Sequence, residues 1–175
     1  MAAFDPRTPP DPARRRLAAA LAALALVAAA PRTAAADEDK LPVPRFVTLR
    51  AEEANARTGP GTQYPIEWRF MRRGMPVEIT AQFGQWRKIR DWQGAGGWVH
   101  QSLVSGRRAV VVTGIARVLR RRGSDDAAAV AQVEPGVIGR LLECDPGWCR
   151  VEVQGYRGWL KRTEFWGVYP GEKIE

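Results

Sequence analysis

Apolar and polar positions alternate in short runs over most of the chain. The clearest runs are Phe46 to Leu49, Ala54 to Arg57, Glu67 to Met71, Pro76 to Phe83, Trp86 to Arg90 and Gly97 to His100. Turn residues bound them, among them Gly59-Pro60-Gly61, Arg73-Gly74, Phe83-Gly84 and Gly94-Ala95-Gly96, which is the signature of short β-strands. A second series follows at Ala109 to Val112, Val118 to Arg120, Ala129 to Val133, Val137 to Leu142, Cys149 to Val153 and Gly158 to Lys161. No helical recurrence of apolar residues runs through either series. The pattern predicts an all-β protein. So many short strands in so few residues cannot build an extended sandwich, so each series is expected to curl into a small barrel with few exposed edges.

The two series can be laid on each other. Gly74 is followed 12 residues later by Trp86, and Gly136 is followed 12 residues later by Trp148. Trp86 then stands 12 residues before Trp98, and Trp148 stands 11 before Trp159. Trp86-Arg87-Lys88-Ile89 matches Trp148-Cys149-Arg150-Val151 in kind, and Gly97-Trp98-Val99-His100 matches Gly158-Trp159-Leu160-Lys161. A looser fit sets Ala54-Asn55-Ala56-Arg57 beside Arg117-Val118-Leu119-Arg120. Recurrence at fixed spacing is the mark of internal duplication. Two small domains are expected, 46–106 and 107–166, after a leader at 37–45 and before a tail at 167–175. A domain of this size buries only about 60% of the surface that its unfolded chain exposes, so docking of the two would help both. The short link from Ser105 to Arg108 favours a fixed arrangement.

The first copy resembles the bacterial SH3-like domains of exported proteins. The likeness rests on Asn55-Ala56-Arg57-Thr58-Gly59-Pro60-Gly61-Thr62, on Trp86-Arg87-Lys88-Ile89 and on Gly97-Trp98-Val99-His100. It extends more weakly over the second copy, which has Arg121-Arg122-Gly123-Ser124-Asp125-Asp126 in place of the Gly-Pro-Gly loop. The resemblance implies two tandem SH3-like β-barrels that bind cell-wall peptide or mediate contacts.

The N-terminus reads as an address. Arg14, Arg15 and Arg16 precede an apolar run from Leu17 to Ala30, and Ala34-Ala35-Ala36 offers a cleavage site before Asp37. This is a secretory signal pattern over 1–36. The run of 14 residues falls short of the roughly 20 that span a bilayer, so no stable membrane span is expected after processing. General secretion fits better than twin-arginine export, because the residues around the arginines do not otherwise match that signal. The destination is the periplasm or the extracellular space.

Composition then narrows the chemistry. The chain carries 27 Lys+Arg against 19 Asp+Glu, and removing 1–36 leaves 22 against 17, or +5. Outside the cytoplasm such a charge meets anionic envelope components rather than chromosomal DNA, so no nucleic-acid partner is expected, and solubility alone can account for the charge. Cys144 and Cys149 flank Asp145-Pro146-Gly147-Trp148, a turn-forming sequence between two strands. In an oxidising compartment the pair is expected to form a structural disulfide. Redox catalysis would call for a Cys-x-x-Cys spacing and a following helix, and zinc would need ligands beyond His100. His100 is also the sole candidate base for a Cys-His or Ser-His pair, and its counterpart in the second copy is Lys161. Glu52-Glu53 and Asp125-Asp126 make poor acid and base couples, since neighbours on a strand face opposite ways. No catalytic residue, cofactor or metal is expected.

Binding is the function left, with cell-wall peptide or another envelope protein as the partner. A scaffold with no small ligand is the alternative. Tyr64, Trp68, Trp86, Trp92 and Trp98 fall in one small unit and cannot all be buried. Rings beside arginines suit a peptide bearing carboxylates. Trp86 and Trp98 recur as Trp148 and Trp159, which favours core plugs; Tyr64, Trp92 and His100 have no such counterparts and are the stronger site candidates. The expected binding residues are Arg57, Tyr64, Trp92, Trp98 and His100, with the Arg57 to Tyr64 loop and the turn around Trp92 as the walls. The aromatic end, Phe165 to Gly171, is expected to pack across the two barrels, with a docking patch as the alternative.

Overall fold

A computed structural model describes residues 41–175. The signal segment at 1–36 lies outside the described residues. The first sheet holds β1 (Arg45–Leu49), β2 (Ala54–Arg57), β3 (Ile66–Phe70), β4 (Pro76–Phe83), β5 (Trp86–Arg90), β6 (Gly96–His100) and β7 (Val104–Ser105). The second holds β8 (Ala109–Val112), β9 (Arg117–Arg120), β10 (Ala129–Val133), β11 (Ile138–Cys144), β12 (Trp148–Val153), β13 (Tyr156–Lys161) and β14 (Phe165–Trp166). Strand order is β3-β2-β6-β5-β4-β1-β7 in one and β10-β9-β13-β12-β11-β8-β14 in the other, the same topology twice. All the ladders are antiparallel.

The sheets are curled rather than closed. Val47 of β1, Ala56 of β2, Phe70 of β3, Ile79 of β4, Ile89 of β5 and Val99 of β6 share one apolar core, although their strands span most of the sheet. Only strong curvature can bring them together. Yet no ladder joins β3 to β7, or β10 to β14. The two-residue strands β7 and β14 each follow a 3₁₀ turn, Gln101–Leu103 and Arg162–Glu164. Such short elements carry no alternation to read, so the sequence pattern predicts neither.

Glycine sets the closest strand approach. A Cβ on Gly97, whose φ is +138°, would stand 2.8 Å from the Arg57 carbonyl oxygen. A Cβ on Gly158 would stand 2.6 Å from Leu119 Cγ and 2.7 Å from the Arg120 carbonyl oxygen. The glycine before Trp98 and the one before Trp159 therefore let β6 pack on β2 and β13 on β9.

The sheets meet where β4 approaches β8, and the runs of β1 and β8 are buried almost throughout. Val47 and Leu49 enter the first core, and Val110 and Val112 enter the second. The alternate residue Phe46 faces the carboxyl end instead. Its ring lies 4.7 Å from Trp166, edge to face, and 4.6 Å from Tyr169. The Tyr169 hydroxyl donates to the buried Glu78 of β4 at 2.7 Å. Burial, with that hydrogen bond second, pushes the phenol above its ordinary pKa. Arg72 also reaches across, donating to the Gly136 carbonyl at 2.8 Å. The carboxyl end thus packs across both sheets.

The cysteines form the Cys144–Cys149 disulfide, and the two residues are paired across the β11–β12 hairpin. Two residues stand inside each hairpin tip, Gly84 and Gln85 or Pro146 and Gly147, so Gln82 and Arg87 of the first sheet occupy the cysteine positions. There the buried Arg87 ties the tip together, donating to the Gly84 carbonyl at 2.6 Å and to Gln101 Oε1 at 2.7 Å. One hairpin is held by a covalent bond and the other by a guanidinium. Replacing both cysteines with serine is expected to cost about 2 kcal/mol, the chain-entropy value for so small a loop. Thermal melts of the double variant would check this, and an unchanged melting temperature would mean that the ladder alone holds the hairpin.

Candidate functional site

Alternation along β5 and β6 decides which side chains reach solvent. Arg87, Ile89 and Val99 point inward and are buried, so Trp86, Lys88, Trp98 and His100 must share the outer face. Register then sets them side by side: Trp86 opposite His100, Lys88 opposite Trp98, and Trp98 opposite Arg57 of β2. The core-plug reading of Trp86 and Trp98 is therefore corrected. Both are half-buried on the outside of the sheet, because the inward positions beside them are taken by Arg87 and Val99.

The Trp86 and His100 rings meet edge to face at 5.8 Å. His100 Nδ1 accepts from the Ser102 backbone N–H at 3.3 Å, which caps the 3₁₀ turn, and Nε2 lies 2.9 Å from Gln85 Oε1. Both ring nitrogens are thus engaged within the protein. Arg57 Nη1 donates to the Tyr64 carbonyl at 2.7 Å and clamps the loop that follows β2. Above that loop the Tyr64 ring lies so close to Gly59 that a Cβ there would stand 2.5 Å from Tyr64 Cδ1. The ring, 40% exposed, is seated on a backbone that only glycine leaves bare. Four of the expected residues, Arg57, Tyr64, Trp98 and His100, thus belong to one face and the loop beside it.

Trp92 stands apart. It follows Asp91, whose buried carboxylate accepts from the Gln93 and Ala95 backbone N–H groups, both at 2.9 Å, and fixes the β5–β6 turn. The Trp92 ring is half-buried against the first core. Two residues absent from the expected set, Trp86 and Lys88, join the face instead. Their signal lies in the strand parity, which the buried Arg87 obscures by looking like a surface residue. On the neighbouring edge strand β3, Ile66 is 44% and Trp68 47% exposed.

The second sheet repeats the ladder with different neighbours around it. Trp148 faces Lys161, Arg150 faces Trp159, and Trp159 faces Arg120, which clamps its own loop by donating to the Ala127 carbonyl at 2.9 Å. Arg57 and Arg120 therefore share a role in the fold. Here, however, Lys161 Nζ lies over the Trp148 ring at 5.4 Å and also pairs with Asp125, while Gly123 packs against the same ring. Ala127 and Arg122 stand where Tyr64 and Gly59 stand in the first copy. The first ladder has an aromatic platform beside it, whereas the second has a lysine drawn over its tryptophan. Among the described residues, no group of three or more His, Cys, Asp or Glu could hold a metal ion.

A family model described as "Bacterial SH3 domain" matches residues 50–106 and 116–167. Over 132 residues the chain is 26% identical to YrvJ of Bacillus subtilis (strain 168), a proposed N-acetylmuramoyl-L-alanine amidase. That match covers 65% of this chain and spans only 25% of the relative's length. Among solved structures the chain is similar to NlpC1 from Trichomonas vaginalis, at 11% identity and a TM-score of 0.33, over 74% of this chain and 48% of that one. It is similar too to an NlpC/P60 family protein from Bacillus cereus ATCC 10987, at 15% identity and a TM-score of 0.32, over 74% and 58% of the two chains.

Proposed function

The chain belongs to the bacterial SH3 domain family, and from that membership we propose that it is a non-catalytic exported module that binds cell-wall peptide through the outer face of its first sheet. The observation that carries the reading is the strip of half-buried Trp86 and Trp98 and exposed Tyr64 beside Lys88 and Arg57. Indole and phenol rings supply apolar contact at low entropic cost, and the cations beside them suit the carboxylates of a peptide. Similarity to a relative whose name specifies N-acetylmuramoyl-L-alanine supports a wall ligand. The arginines and apolar run at the N-terminus support export, and no helix of the described residues is long and apolar enough to cross a membrane.

A second reading, an envelope adaptor that binds another protein, draws on the exposed Ile66 and Trp68 of edge strand β3. Co-sedimentation of the full chain with purified cell-wall sacculi separates the two. The chain is expected to pellet with the sacculi, and Tyr64→Ala to weaken that binding by about 1 to 3 kcal/mol, the range for truncating an aromatic anchor. A parent chain that stayed in the supernatant would favour the adaptor.

A further inference from the structure

A cleft of different character opens where the two sheets meet. Its main cavity, of 560 Å³, is lined by Thr48 and Gly74 of the first sheet and by Arg107, Arg108, Ala109, Ile138, Arg140 and Leu141. A second cavity, of 210 Å³, shares Thr48, Gly74 and Arg107 with it and adds Arg50 and Arg73. A third, of 360 Å³, shares Ile138 and adds Arg72. The three adjoin, and no acidic residue lines any of them. Two of the six arginines are neutralised nearby, Arg108 by Glu172 at 2.6 Å and Arg140 by Glu152 at 3.1 Å. No carboxylate pairs with Arg50, Arg73 or Arg107 among the described residues.

We infer that this cleft is a second binding site, distinct from the outer face of the first sheet, and that it takes a short acidic peptide with aliphatic side chains. Guanidinium groups present paired N–H donors that match a carboxylate. Arg107 lines both the main and the second cavity and Arg50 and Arg73 line the second, and three cations without a carboxylate partner call for a ligand with more than one anionic group. The floor of Ala109, Ile138 and Leu141 is apolar. That selects a ligand with an aliphatic body over a phosphate polymer, which brings charge but nothing to cover the floor. The main cavity falls within the range of about 300 to 1,000 Å³ typical of ligand sites.

Calorimetric titration of the full chain with N-acetylated Glu-Ala-Leu-Glu tests the site, with Gln-Ala-Leu-Gln and tripolyphosphate as comparison ligands. The acidic peptide is expected to bind, the glutamine peptide to fail, and tripolyphosphate to compete only at higher concentration. Arg73→Gln combined with Arg107→Gln removes two exposed, unpaired charges and is expected to weaken peptide binding about tenfold or more. Trp98→Ala, on the outer face, is expected to leave it unchanged. No binding by the parent chain, equal binding of the glutamine peptide, or an unaffected arginine variant would overturn the site. Tripolyphosphate binding as tightly as the peptide would make it a general anion site and overturn the peptide assignment. Loss of binding in Trp98→Ala would move the peptide to the outer face and leave the cleft unassigned.

Discussion

Phe46→Ala is expected to lower stability by about 3 to 5 kcal/mol, the cost of emptying a buried phenylalanine site, and to loosen one sheet from the other. Phe46 is only 7% exposed although it faces away from its own sheet's core. What buries it is the carboxyl end, through the Trp166 and Tyr169 rings and the Arg108 guanidinium at 5.7 Å. Truncation would thus remove contacts from both copies at once and leave the Tyr169 ring linked to the first sheet through its hydroxyl's bond to Glu78. Phe83→Ala is the internal control, because that ring is 65% exposed at a hairpin tip and its loss should cost less than about 0.5 kcal/mol. Urea unfolding followed by tryptophan fluorescence and by far-ultraviolet dichroism reads both effects. The parent should give one shared transition, and Phe46→Ala a weaker one in which the two signals separate. A loss below about 1 kcal/mol would mean that the sheets are joined mainly elsewhere.

The strands were legible because each copy alternates over a single core, and the duplication because glycine and tryptophan recur at nearly constant spacing. Pairings across the copies sharpen that duplication: Arg57 and Arg120 clamp equivalent loops, and Gly97 and Gly158 admit equivalent crossings. Less legible was anything that breaks alternation for a tertiary reason. The run Phe46-Val47-Thr48-Leu49 is buried on both faces because the second sheet and the tail lie against it, and that covering is invisible in local sequence. Arg87 misled in the opposite sense, as a charged residue at an inward position whose partners include backbone carbonyls and Gln101. Once it is placed inside, Trp86 and Trp98 must lie outside, and the case for them as core plugs fails. Trp92 looked distinctive because it has no aromatic counterpart in the second copy, yet it packs against the first core. Uniqueness in one copy can reflect local filling as readily as recognition.

Trp98→Ala and Trp159→Ala, compared side by side, are expected to separate what the ladder does for the fold from what it does for a ligand. Each tryptophan is half-buried, sits on the outer face after a close-packed glycine, and stands between an arginine of the second strand and a cation of the fifth. Their contributions to stability should therefore be similar. Their surroundings differ: beside Trp98 stand Trp86, packed edge to face with His100, and the Tyr64 platform, whereas beside Trp159 the neighbouring Trp148 lies under Lys161 and Ala127 replaces the tyrosine. If the outer face of the first sheet holds the wall ligand, Trp98→Ala should weaken sacculus binding by about 1 to 3 kcal/mol, or roughly 5-fold to 150-fold, as expected for an aromatic anchor. Trp159→Ala should bind like the parent at matched folded fraction. Binding isotherms of the two variants and the parent, each corrected for the fraction folded, provide the comparison. Equal losses would assign recognition to the ladder common to both copies, and parental affinity in Trp98→Ala would remove the outer face of the first sheet from the site.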